Sequence, residues 1–157
     1  RVVMSLVLVL HAMVATFGLW LSVIDQKEHR LPNALTAPLA LGVGIVALLG
    51  AQQGSIASGL LGSTLSAGTF ALLALLPSRP LGWGDVKLQA ILGFYLDFLA
   101  SGLAFVQAIL SFVLGGIVAT VMIFRHRGRA KDPLAFGPAM VAATLMVIVW
   151  AQSGQII

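Results

Sequence analysis

The 157-residue chain contains no cysteine, which removes disulfides, thiolate metal sites and a cysteine nucleophile from consideration. Charge is nearly as scarce. Only 9% of the residues are Asp, Glu, Lys or Arg, against about 25% in an ordinary soluble domain. The three histidines, His11, His29 and His126, are too dispersed to read as a metal-ligand set. Neither a metal nor a cofactor is expected. No polar stretch is long enough to build a water-soluble domain, and the period-two alternation of a membrane β-barrel is missing.

What remains is hydrocarbon. Hydrophobic residues make up 59% of the chain, mean hydropathy is +1.04, and apolar runs of about 20 residues recur from end to end. The expected fold is all-α, a polytopic membrane protein of six transmembrane helices forming a single membrane-embedded domain over 1–157. The runs are 2–24, 34–51, 56–77, 86–99, 102–124 and 134–152. The first is too long and too apolar for a signal-peptide core, with no small-residue cleavage site after it, so it is expected to stay in the mature protein. The fourth is short, since about 14 residues at 1.5 Å each reach only about 21 Å.

Charge placement argues that the fourth run crosses nonetheless. With six spans, Lys27, Arg30, Arg79, Lys87, Arg125, Arg127, Arg129 and Lys131 all fall on one side, eight of the nine basic residues. The other side holds Arg1, the uncharged turn Gln52-Gln53-Gly54-Ser55 and the turn near Asp97. Cytoplasmic loops collect lysine and arginine, so both termini are expected outside and the three charged loops in the cytoplasm. The same placement accounts for a pI near 10.4 without nucleic acid, which is not expected as a partner. The Arg125–Lys131 cluster is instead a topology signal beside lipid head groups.

Small residues mark expected helix contacts: Ser55, Gly59, Gly62, Ser63, Ser66 and Gly68 in the third run, Gly115 and Gly116 in the fifth. His11, Thr16, Gln89 and Gln107 are expected to hydrogen-bond between helices. Pro32, followed by Asn33, suits the start of the second span.

Two carboxylates stand out. Asp25 ends the first span, and Asp85 sits in Gly82-Trp83-Gly84-Asp85-Val86-Lys87 at the start of the fourth. The six-span topology puts both on the cytoplasmic side. Gly82 and Gly84 allow backbone conformations and close approaches that other residues resist. Taken singly, Asp25 reads as a solvated loop carboxylate and Asp85 as a helix cap. Taken together they fit two-carboxylate hydrolysis, in which an ionised group takes a proton from water while a protonated one polarises the scissile carbonyl. Two close carboxylates in a poorly solvated place cannot both ionise easily, so one pKa rises. Asp97, on the opposite side, reads as a span-end residue. A different class, a small transporter or proton channel with the aspartates as relay groups, calls for acidic residues deep within spans; Asp25 and Asp85 are at span ends.

At these residues the sequence resembles the type IV prepilin peptidases, membrane aspartyl proteases of the GxGD type. Asp25 with Leu31-Pro32-Asn33, then Gly82-Trp83-Gly84-Asp85-Val86-Lys87-Leu88, is similar to their paired signature. Leu134-Ala135-Phe136-Gly137-Pro138-Ala139 resembles the family segment that opens the last span, with Ala135 where proline is common. The resemblance implies Asp25 and Asp85 as the catalytic pair. Around them, Gly82, Gly84, Lys87, Pro32, Asn33, Phe136, Gly137 and Pro138 would form or support the active-site loops. The implied substrate is a prepilin-like protein, a basic leader followed by an apolar helix, cut at the cytoplasmic face of the bacterial inner membrane. The short form, without the cysteine-containing region of longer members, is associated with Tad/Flp-type pili, and methyl transfer is not carried over.

Overall fold

A computed structural model describes residues 2–28, 31–50, 54–76, 81–125, 135–154 and 157. Several residues singled out above lie outside that set: Arg1, His29, Arg30, Gln52, Gln53, Arg79, His126, Arg127, Arg129, Lys131 and Leu134. The described chain forms six helices and no strand: α1 Val2–Glu28, α2 Asn33–Leu49, α3 Ile56–Ala74, α4 Trp83–Leu99, α5 Leu103–Arg125 and α6 Gly137–Ser153. Leu6–Glu28, Ile56–Ala74 and Leu103–Arg125 are long and apolar enough to cross a membrane; α2 and α6 are shorter apolar helices.

Helix ends differ from the sequence expectation at several places, among them α2 at Leu49 rather than 51 and α3 at Ala74 rather than 77, and three of the differences have a local reason. α1 runs one turn past residue 24, because Gln26, Lys27 and Glu28 are good helix formers although not apolar. Asp25 therefore lies inside the last turn rather than after it. α4 begins at Trp83 instead of 86, with extended Gly82 as its N-cap. That makes Asp85 the third helical residue and not the cap. α6 begins at Gly137 rather than 134, with Pro138 in its first turn, where its missing N–H costs nothing.

The short α4 is the centre of the bundle. It contacts α2, α3, α5 and α6, and Leu88, Leu92, Tyr95 and Leu96 are fully enclosed. α1 packs against α2 and α6. Outward-facing side chains such as Leu41, Leu48, Leu65, Phe105 and Phe124 are exposed, as a lipid-facing surface requires. At 17 residues α4 is no shorter than α2 or α6, so what sets it apart is its enclosure by protein rather than its length.

Small residues bring α3 and α4 together as expected. A β-carbon on Gly93 would run into Ser66 Oγ and, at 2.9 Å, the Gly62 carbonyl; one on Gly59 would lie 3.0 Å from the Phe94 carbonyl. Gly115 likewise leaves room for the Phe136 ring. Gly68 and Gly116 do not mark contacts, since both face open space. Among the polar residues, Gln89 Nε2 donates to Gln107 Oε1 at 2.8 Å, joining α4 to α5. His11 instead meets Tyr95 of α4 edge-on, ring centroids 5.8 Å apart, and Thr16 points outward; neither makes the expected interhelical hydrogen bond.

At one end of the bundle the Ser55 N–H donates to the Phe98 carbonyl at 3.0 Å. There Asp97 accepts from the Ala104 N–H at 2.8 Å, capping α5 as a span-end residue. At the opposite end the last turn of α1 meets the first turn of α6, and the first turn of α4 lines the same cavity.

Candidate active site

Helix starts expose N–H groups without intrahelical partners and carry the positive end of the helix dipole, so they attract carboxylates. Both aspartates exploit this. Asp25, buried, accepts from the Gly137 N–H at the start of α6 through Oδ2, at 2.9 Å. Asp85, also buried, folds back on its own helix start and accepts from the Gly82 N–H at 3.0 Å. The two line one cavity of about 350 Å³ together with Leu31, Asn33, Gly82, Trp83, Gly84 and Lys87.

Asp85 precedes the apolar stretch of α4, yet its carboxyl is pushed up to about 6. Burial is the main cause, opposed by the Gly82 N–H and reinforced by the negative charge of Asp25. A carboxyl in this position keeps its proton far better than one in water.

The surrounding residues fix the two backbones. The Pro32 carbonyl accepts from the N–H groups of Leu35 and Thr36 at 3.1 and 3.2 Å, so Pro32 caps α2 from just outside the cavity. Lys87 Nζ donates to Asn33 Oδ1 at 3.0 Å, clasping α4 to α2 beside Asp85. Phe136 is buried between Phe70 and Phe112, with ring centroids 6.0 and 5.4 Å away, and anchors the segment that leads into Gly137. Thus Asp25, Asp85, Gly82, Gly84, Lys87 and Asn33 come together around the cavity, whereas Pro32, Phe136 and Pro138 are not among its lining residues. Among the described residues no three His, Asp or Glu side chains form a metal-ligand group.

The two glycines before Asp85 are not equivalent. Gly82 has φ −84° and ψ 156°, extended backbone that any residue adopts, and a β-carbon there would meet nothing closer than Asp85 Oδ2 at 3.5 Å. At Gly84 a β-carbon would lie 2.9 Å from Leu31 Cβ, so this glycine is required by close approach. Gly82→Ala is accordingly expected to retain cleavage within about twofold. Gly84→Ala is expected to push the Leu31 segment away and cost about tenfold or more, as small displacements of reacting groups do. Equal rates for the two variants in a peptidase assay would contradict this division. Sequence reasoning missed Leu31 as a wall of the cavity and the Gly137 N–H as the partner of Asp25. The one signal for the latter was a glycine preceding a helix-start proline.

The family model described as the type IV leader peptidase family matches residues 12–125. A leader peptidase, HopD, from Escherichia coli is 33% identical over 129 residues, covering 78% of this chain and 81% of that protein. Prepilin leader peptidase/N-methyltransferases from Burkholderia pseudomallei (strain K96243) and Stutzerimonas stutzeri are 33% and 28% identical, covering 83% and 86% of this chain. Against these two the chain spans only 44% and 47% of the relative's length. No solved structure matches the chain. With most of its length inside the family match and a relative aligned over most of both chains, this protein belongs to the type IV leader peptidase family.

Proposed function

We propose that this protein is an aspartic endopeptidase that removes the leader of prepilin-like substrates at the cytoplasmic face of the bacterial inner membrane. The observation that carries the reading is the pair of buried carboxylates, Asp25 and Asp85, lining one cavity from helices far apart in sequence. Within the pair, burial favours the neutral form of Asp85, which makes it the proton donor to the scissile carbonyl oxygen. Asp25, held by the Gly137 N–H, takes the proton from the attacking water. The new C–O bond forms; as the C–N bond breaks, the leaving amine collects the proton held on Asp25 and the hydroxyl made from the carbonyl oxygen returns its proton to Asp85, which restores the pair. The two groups share one proton and titrate together.

The cytoplasmic orientation rests on Lys27, Lys87 and Arg125, which lie at this end of their helices. Glu28, exposed one turn beyond Asp25, offers a counter-charge to a basic leader. The substrate's apolar helix partitions into the bilayer beside the bundle, which leaves the bond to be cut at the interface. A proton-relay or transport role fits less well. Asp25, Glu28, Asp85 and Asp97 all sit in terminal turns, and no described helix carries an acidic group in its middle.

The test is incubation of the purified protein in detergent with a prepilin-like substrate, read by the size of the product. Cleavage between leader and apolar helix is expected. An inert protein that instead conducts protons in liposomes, dependent on Asp25, would replace the peptidase reading with the relay. The pH dependence adds a second check. Asp85 must be protonated to act, and it loses its proton as pH rises through about 6. The free-enzyme quantity kcat/KM is therefore expected to fall on the alkaline side, approaching tenfold per pH unit well above that value. A rate that climbs from pH 6 to 8 would contradict the assignment of Asp85 as the acid.

A further inference from the structure

We infer that Gln107 is a positioning residue for the two carboxylates, acting as a bridge between α4 and α6 one turn inside the site; the inference rests on the aspartyl reading above. Gln107 belongs to α5, and both polar atoms of its side-chain amide are engaged. Its Oε1 accepts from Gln89 Nε2 at 2.8 Å, and Gln89 lies four residues, about one helical turn, beyond Asp85 on α4. Its Nε2 donates to the Met140 carbonyl at 3.2 Å and to Ser111 Oγ at 3.1 Å. Met140 lies three residues beyond Gly137, whose N–H holds Asp25.

The links close a circuit. Asp85 rides on the first turn of α4 and Asp25 is tethered to the first turn of α6, so the separation of those two turns sets the separation of the carboxylates. Gln107 spans that gap directly beneath them. Its orientation is fixed as well. The Ser111 hydroxyl donates to the Gln107 backbone carbonyl at 2.8 Å and so accepts from the side-chain amide, while a flipped amide would set oxygen against the Met140 carbonyl.

The bridge is poorly suited to a purely stabilising role. Gln89, Gln107 and Ser111 are fully enclosed, and Gln89 Oε1 has no hydrogen-bond partner among the described residues. A buried acceptor left unpaired costs stability, whereas an apolar pair of the same shape does not. The chain keeps a costly polar contact where it fixes spacing.

The test is the double variant Gln89→Met/Gln107→Met, which removes the bridge without stranding half of it. It is expected to be helical and to melt at or above the wild-type temperature. Its kcat on a prepilin-like substrate should fall about tenfold with KM unchanged. The alkaline limb of kcat/KM should also move to lower pH, because Asp85 then feels less of Asp25. The charged or titratable groups near this end on the elements packed around Asp85 are Asp25, Lys27 and Glu28 of α1, Lys87 of α4 and Arg125 of α5; α2, α3 and α6 contribute none. Glu28 shares α1 with Asp25 and acts in the same direction, and Lys27 opposes it, but both are exposed and screened by water, so buried Asp25 dominates. Gln89→Met alone, which cuts α4 from the bridge, should give the same fall if the double variant does not fold. Thr144→Val provides the contrast: Thr144 donates to the same Met140 carbonyl at 2.8 Å without linking α4, so its kcat and pH limb should stay at wild-type values. Wild-type kcat and limb in the Gln variants, or an equal loss in Thr144→Val, would overturn the inference while wild-type cleavage and inactive aspartate variants leave the peptidase reading standing. A wild-type protein that cleaves nothing would end that reading instead.

Discussion

Asp25→Asn and Asp85→Asn should each lower prepilin cleavage by about 10³-fold or more, a loss of about 4 kcal/mol of transition-state stabilisation. Neither variant should unfold. An asparagine carbonyl at position 25 can still accept from the Gly137 N–H, and one at position 85 from the Gly82 N–H. Asp85→Asn should even gain stability at neutral pH. The folded protein holds the Asp85 carboxyl at about 6, above its ordinary value of 3.8. Between those values the folded state retains a proton that the unfolded chain has released, so wild-type stability falls as pH rises through this window and then levels off. The neutral amide escapes that loss. The gain should reach about 3 kcal/mol at most above pH 7, because each pH unit between the two values is worth about 1.36 kcal/mol, and it should vanish near pH 4. Thermal melting in detergent at pH 4.5 and 8 reads the gain, and the cleavage assay reads the loss. A variant that both melts like wild type at pH 8 and cleaves at near wild-type rate would remove Asp85 from the site.

The pairing of these two carboxylates was legible because it followed from topology. Alternating apolar runs and the distribution of lysine and arginine put Asp25 and Asp85 on one side without any knowledge of packing. The glycines and charges that delimit the runs were less informative about where helices end. Polar residues with good helix propensity carried α1 onward through Glu28, and the Gly82 cap let α4 start at Trp83. Hydropathy registers the membrane, whereas hydrogen bonding determines the helix. Gln89 and Gln107 were recognisable as interhelical donors and acceptors, but His11 and Thr16 looked the same in sequence and behave differently. A polar residue in an apolar run does not reveal whether its side chain faces a partner, a ring or the outside. The family match itself stops at residue 125, short of the segment that reaches Asp25.

That segment carries the second large effect. Gly137→Ala should reduce kcat about 10²-fold with little change in KM, although the substitution adds only a methyl group at the start of a helix. An ideal β-carbon on Gly137 would lie 2.8 Å from Asp25 Oδ2 and 3.3 Å from its Cγ. Oδ2 is the atom that accepts from the Gly137 N–H at 2.9 Å. Phe136, buried against Phe70 and Phe112, prevents α6 from backing away, so the carboxylate must turn aside and give up the bond. A reacting group misplaced by about 1 Å costs about this much in rate. The Asp25 backbone stays within α1, so folding and membrane insertion should survive, and substrate binding, which depends on the apolar helix and the leader, should hold KM. Single-turnover cleavage by Gly137→Ala, beside Gly82→Ala as a glycine whose β-carbon has space, isolates the contact. A wild-type rate in the Gly137 variant would mean that the N-terminus of α6 does not hold Asp25 during catalysis, and that the spacing of α4 and α6 does not set the spacing of the carboxylates.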